Sequence, residues 1–169
     1  LRSLLVNDEL SPAYRAQLFT LPSFAYLAQL AAKQAPIDPQ KLFAARERAN
    51  AAITEHFQSE WQSIYTTLNT AQAYAYNGAA AGERALKNIA LRHIRLTNEN
   101  ETLAFDQYHQ ANNMTDRMAA FSTQIHEGTG LANVLIDDFY ERFEQEALVI
   151  DKWFAVQAAN PYATHDEIL

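Results

Sequence analysis

His126 and Glu127 stand side by side in IHEGTG, the opening of a zinc-hydrolase pattern. In H-E-x-x-H two histidines one helical turn apart hold the metal, and the glutamate activates a bound water. Here the second histidine position is Gly130, and Gly128 and Gly130 break the helix the motif requires. ITEHF fails as the inverted motif, because H-x-x-E-H needs histidine where Ala52 stands. Asp106 and His109 make one D-x-x-H pair, whereas a di-iron carboxylate bundle needs two E-x-x-H units and two further glutamates. Cysteine is absent, which removes thiolate metal sites, a disulfide framework and a cysteine nucleophile. No Ser-His-Asp arrangement and no Gly-rich phosphate loop can be named. The residue types alone assign no catalytic, metal or cofactor site.

The remaining charged groups read as surface or packing. Asp137, Asp138, Glu141, Glu144 and Glu146 lie opposite Leu135, Ile136, Phe139 and Phe143 on a helix, which makes them a solvent face. Arg84, Lys87, Arg92 and Arg95 form a small basic stripe in a chain of net charge −7. That balance argues against nucleic acid as a partner. His93 falls on the apolar stripe Leu86, Ile89, Ala90 and Ile94 and is expected as a hydrogen-bonded core histidine.

Two polar stretches stand out. In QANNMTD (110–116), Asn112 and Asn113 suit the end of one helix, since asparagine tolerates the left-handed conformation. Thr115 is then expected as the N-cap of the next, with Asp116 adding negative charge at its positive end. In LVIDKWF (148–154), Asp151, Lys152 and Trp153 sit inside an apolar run. If Asp151 and Lys152 are buried, each needs its own partner, and the 112–116 turn is the expected donor of one.

The elements that would position these residues are helical throughout. Glycine is scarce and alanine and leucine abundant, which favours helix. Ser11-Pro12 and Asp38-Pro39 each place a capping side chain before proline at the first helical position, and Leu21-Pro22 is a weaker version. Pro39 to about Asn69 reads as one long helix or two joined ones. Gly78 and Gly82 mark a break before a helix over Glu83–Thr97. Asn98 or Asn100 is expected to cap the element bearing Leu103, Phe105 and Tyr108. Helices over Met114–Glu127 and from the GTG turn to about Glu146 follow. ALVIDKWFAVQA, apolar nearly all round, is expected at the centre of the packing. Short connections imply antiparallel neighbours, so the expected fold is all-α, with stacked helical hairpins in a curved two-layer superhelix forming a single domain over 1–169.

No run of about 20 apolar residues is present, so no membrane partner is expected. The start lacks a signal-peptide pattern. The chain opens at Leu1 with helical apolar spacing and stops at HDEIL as another helix begins. The expectation is a piece of a longer protein.

RALKNIALR (84–92), ANNMTD (111–116) and LVIDKWF (148–154), in this order, resemble the C-terminal helical domain of the bacterial aminopeptidase N family. NDELSPAYRAQLFTLPS (7–23) looks like an earlier part of the same domain, so the likeness covers nearly the whole chain. That family comprises zinc metallopeptidases of the gluzincin type. The resemblance implies a parent enzyme that removes N-terminal residues from peptides with broad specificity. Its zinc would lie in an upstream thermolysin-like domain, held by H-E-x-x-H and a later glutamate, with G-A-M-E-N holding the substrate's amino terminus. Neither motif occurs here, so no cofactor is expected in this chain. The implied role is a non-catalytic cap on the active-site cavity. Its partners would be the catalytic domain of the same chain and, for the parent, peptide substrates in the cytoplasm. What carries over to Asn112, Asn113, Thr115, Asp116, Asp151, Lys152 and Trp153 is membership of the structural scaffold. The rival reading is a free-standing helical module that binds peptides or proteins.

Overall fold

A computed structural model of the protein describes residues 1–33, 36–71, 73–97, 102–126, 130–160 and 163. Among them are ten α-helices and no strand. They fall into two compact units, Leu1–Ala71 with Ala75–Thr97, and Asn98–Leu169 with Gln72–Tyr74.

The first unit holds α1 (Arg2–Leu5), α2 (Pro12–Leu18), α3 (Phe24–Ala31), α4 (Pro39–His56), α5 (Gln58–Leu68) and α6 (Gly78–Arg95). The proline-marked starts are where local chemistry puts them. Ser11 Oγ accepts from the Tyr14 amide at 3.3 Å and Asp38 Oδ1 from the Lys41 amide at 3.1 Å, each cap being worth about 1 kcal/mol. The third start is not at Leu21-Pro22. Ser23 caps α3, accepting from the Tyr26 amide at 3.2 Å, because a side-chain oxygen satisfies a free amide and leucine has none.

The 39–69 stretch is two helices meeting at Phe57, whose φ of −120° and ψ of 26° end α4. Phe57 turns inward there and packs edge-on to Phe19, ring centroids 5.4 Å apart. Trp61 lies against the same Phe19 ring at 5.4 Å and is fully buried. Burying side chains of this size supplies about 1.5–3 kcal/mol each, and this cluster with Leu5, Ile64, Leu86 and Ile94 is the unit's core.

α6 packs on α2 and α5, and α3 on α4. It begins at Gly78, not at Glu83, because Asn77 caps it by accepting from the Ala80 amide at 2.9 Å. Gly82 is therefore no break but an interior position. A Cβ there would stand 2.8 Å from the Ala13 backbone nitrogen, so the bare glycine lets α6 lie directly on α2. The basic stripe on α6 is also corrected: Arg95 is fully buried and Lys87 is 8% exposed. Their alkyl stems serve the packed face of the helix.

The second unit holds α7 (Leu103–Gln110), α8 (Met114–Ile125), α9 (Gly130–Phe143) and α10 (Ala147–Ala158). Each packs against the next in sequence, as short connections require. Tyr108, Phe121 and Phe139 converge from α7, α8 and α9, with Phe121 and Phe139 at 4.8 Å. Asn98, Asn100 and Glu127 lie outside the described residues. α8 ends at Ile125 and α9 at Phe143, short of the expected Glu127 and Glu146.

α10 departs most from expectation. None of its residues is buried, and Leu148 is 80% and Phe154 59% exposed. An apolar circumference expresses a preference for burial, but burial also needs a neighbour on every side. Among the described residues its main neighbour is α9, with a smaller contact to α8.

Candidate functional site

The two stretches singled out by sequence, 112–116 and 151–153, both lie in the second unit. α7 ends at Gln110, and Ala111, with φ −61° and ψ 124°, turns the chain into extended backbone. Asn113 continues extended, with φ −148°. Neither asparagine ends α7. Asn113 is instead the N-cap of α8, its Oδ1 accepting from the Asp116 amide at 2.9 Å. Thr115, expected in that role, is an exposed residue within the first turn.

The cap falls two residues earlier because Asn113 and Asp116 engage each other twice. Asn113 Nδ2 also donates to Asp116 Oδ2 at 3.0 Å, a reciprocal pairing of cap and third helical residue. The N-x-x-D spacing was the signal for it. Asp116, 5% exposed, supplies negative charge at the helix start as expected.

The same corner ties α7 to α8. Gln107 Nε2 donates to the Asp116 carbonyl at 3.1 Å, and Arg117 Nη2 to the Ala111 carbonyl at 2.6 Å. The Arg117 guanidinium lies 5.5 Å from the centroid of the Tyr108 ring. Gln107, Asn113, Asp116 and Arg117 thus hold a helix–turn–helix corner.

Asp151 and Lys152 are both exposed, and among the described residues neither makes an ion pair or hydrogen bond. The expected link from the 112–116 turn to Asp151 does not form. With water available, neither charge needs a protein partner. Trp153 does the packing: its Nε1 donates to the Ile136 carbonyl at 2.9 Å and its ring lies 5.3 Å from that of Tyr140. The seven residues are thus not brought together around one centre.

Sequence reasoning missed Asp138 by assigning it to the solvent face. Its Oδ2 accepts from Tyr108 Oη at 2.7 Å and from Arg142 Nε at 2.6 Å. Burial pushes the Asp138 carboxyl upward, but the hydrogen bonds from Arg142 and Tyr108 more than reverse it, so it stays ionised further into acid than usual. Burial, then the adjacent Asp138, drive the Tyr108 hydroxyl up. A tyrosine held so firmly as a donor is a structural group at neutral pH. Only the separation of 30 residues hid the pair. Asp137, Glu141, Glu144 and Glu146 are exposed as expected.

In the first unit His93 is the core histidine the sequence suggested. It is 3% exposed, with its Nδ1 2.7 Å from Thr54 Oγ1. Asp106 and His109 are exposed on α7, and Asp106 Oδ2 accepts from the Thr102 hydroxyl at 3.0 Å. Among the described residues no group of three or more His, Asp or Glu is placed to hold a metal ion. None of their helices is long and apolar enough to cross a membrane.

The chain is 31% identical over 164 residues to aminopeptidase N of Escherichia coli (strain K12), covering 96% of this chain and 18% of that protein. It is 34% identical over 125 residues to aminopeptidase N of Haemophilus influenzae, and 31% over 159 residues to that of Caulobacter vibrioides. These cover 74% and 93% of the chain, and 14% and 18% of the respective relatives. The chain thus spans less than a fifth of the length of these relatives, and it is their C-terminal region that it resembles. Its fold matches a crystal structure of Legionella pneumophila aminopeptidase A in complex with aspartic acid. There the TM-score is 0.78 at 21% identity, covering 95% of this chain and 20% of that one. Residues 1–168 match the family model described as "Domain of unknown function (DUF3458_C) ARM repeats", and the chain belongs to that family.

Proposed function

We propose that residues 1–169 act as one non-catalytic helical domain of a broad-specificity zinc aminopeptidase. In this reading it caps the active-site cavity and restricts which peptides enter. The observation that carries it is the extent of the likeness, which runs through 96% of the chain at 31% identity to an aminopeptidase N. The exposed side chains of Leu148 and Phe154 on α10 are in keeping with a scaffold that packs against another part of a longer protein. In this reading the zinc is held elsewhere in that protein. No catalytic step is therefore assigned to this chain. The peptide substrates and the cytoplasmic location of the parent are part of the same proposal.

The reading is tested on the open reading frame that encodes the chain and on the purified chain itself. A parent carrying H-E-x-x-H, a later glutamate and G-A-M-E-N upstream of Leu1 supports it. So does a pure chain that neither releases p-nitroaniline from leucine p-nitroanilide nor retains zinc. Robust hydrolysis by the chain alone would refute it. A start codon directly before Leu1 would favour the free-standing helical module, a reading that draws on the ARM-repeat description.

A further inference from the structure

A cavity of about 440 Å³ opens in the first unit between the segment following α1, the start of α2, and the faces of α5 and α6. Its size is that of a small-molecule site, typically about 300–1,000 Å³. Leu10, Ile64 and Leu68 give it an apolar wall, and Arg15, Asp8 and Glu83 give it charge.

Arg15 is the unusual member. Its side chain is 8% exposed, yet its ion-pair partner Asp8, 2.9 Å from Nη1, is 96% exposed. Its Nε is buried with no acceptor. A guanidinium offers a planar fork of donors, and a buried donor left without a partner is costly. Asp8 engages Nη1 from the solvent side, and Nε is the donor left without an acceptor.

The cavity's carboxylates restrict what can complete it. Glu60 also lines it but is taken by Arg2, whose Nε lies 2.7 Å from Oε1. Glu83 is exposed and makes no ion pair among the described residues. A simple anion would satisfy Arg15 but would enter among three carboxylates. A simple cation would suit Glu83 and Asp8 but would leave Arg15 Nε without an acceptor. A ligand carrying both charges meets both demands.

We propose that this cavity binds a small zwitterion of the α-amino acid type. Its carboxylate completes the Arg15 fork, its ammonium faces Glu83 and Asp8, and an aliphatic side chain rests on Leu10, Ile64 and Leu68. Nothing in this assignment needs the peptidase reading, so the two stand or fall separately.

The test is titration of the ¹⁵N-labelled chain with L-leucine, followed by amide chemical shifts. Saturable shifts confined to residues 8–15, 59–68 and the start of α6 are expected by about 10 mM, the range of a ligand with few contacts. N-acetyl-L-leucine, which lacks the ammonium, is expected to bind at least about tenfold more weakly, and Glu83→Gln to weaken L-leucine similarly. Arg15→Lys keeps the charge but loses the fork and is expected to weaken binding as much. Should that buried substitution fail to fold, Glu83→Gln at an exposed position still decides. The absence of saturable shifts, shifts centred elsewhere, or equal binding of leucine and its acetylated form would each overturn the proposal.

Discussion

The imidazole of His93 lies flat against the indole of Trp61, ring centroids 4.5 Å apart and planes 14° from parallel. With Thr54 Oγ1 at 2.7 Å from Nδ1, this places an ionisable ring inside the core of the first unit. Burial, aided by the charge of Arg92, pushes the His93 pKa down from 6.5 to about 4. The neutral ring is the folded form, whereas an unfolded His93 takes up a proton near pH 6.5. The unfolded state therefore binds more protons between about pH 6.5 and 4, and stability falls as pH falls through that window. Its full extent is about 3 kcal/mol, reduced by about 1–2 kcal/mol that an imidazolium recovers on the indole face. In urea unfolding, the wild type is expected to lose about 1 kcal/mol more than His93→Gln between about pH 7.5 and pH 5.5. Parallel profiles for the two proteins would show that His93 does not titrate this way.

Gly82 and Gly78 lie one turn apart on α6 but face opposite circumstances. A methyl at Gly82 meets the Ala13 backbone nitrogen at 2.8 Å, while one at Gly78 meets nothing within 4 Å. Overpacking against backbone costs about 1–3 kcal/mol, and the better helix propensity of alanine returns about 1 kcal/mol. Gly82→Ala is thus expected to lower the melting temperature, by about 2–4 °C per kcal/mol lost. Gly78→Ala should leave it unchanged or raise it by up to about 1 kcal/mol of stability. A rise for Gly82→Ala, measured by calorimetry, would mean that the α2–α6 contact is looser than the structure describes.

Local chemistry was legible in the sequence and tertiary purpose was not. Ser11-Pro12 and Asp38-Pro39 start helices as expected, since a cap bonds an amide three residues away and needs no other part of the fold. Gly82 was mistaken for a break because its reason is Ala13, on another helix. Asp138 was placed in solvent because Tyr108, its donor, is 30 residues distant. In the corner at 110–116 the residue types were right and the register wrong, since Thr115 and Asn113 offer the same chemistry two positions apart. No site was legible from the motifs, and the seven singled-out residues turn out to hold helices together or to face water. The cavity at Arg15 left no sequence signal, because its charged members come from three separate segments.

The register at the α7–α8 corner can be measured directly. If Asn113 is the cap, Asn113→Ala removes the acceptor for the Asp116 amide and should cost about 1 kcal/mol. Asn113→Ser keeps an acceptor oxygen without setting a second carboxylate against Asp116 Oδ2 and should cost less. Thr115→Ala, at an exposed position inside the first turn, is expected to stay within about 0.5 kcal/mol. The reverse ranking in chemical denaturation would restore Thr115 as the cap.

Asp151 and Trp153, two residues apart on α10, should respond oppositely to truncation. Asp151 is exposed and, among the described residues, makes no ion pair or side-chain hydrogen bond that its removal would break. Asp151→Ala is therefore expected within about 0.5 kcal/mol of the wild type. Trp153 fixes α10 to α9 through the Ile136 carbonyl at 2.9 Å and the Tyr140 ring at 5.3 Å. Trp153→Ala gives up both and should cost about 2–4 kcal/mol, toward the lower end of large-to-small changes because the site is only partly buried. Trp153→Phe keeps the ring contact and loses only the hydrogen bond, worth about 1 kcal/mol. Since α10 buries none of its residues fully, its loosening should precede that of α7 to α9. Hydrogen exchange of Trp153→Ala is then expected to accelerate first at amides 149–158. Uniform acceleration across the second unit would instead make α10 part of one cooperative core, with Trp153 as its keystone.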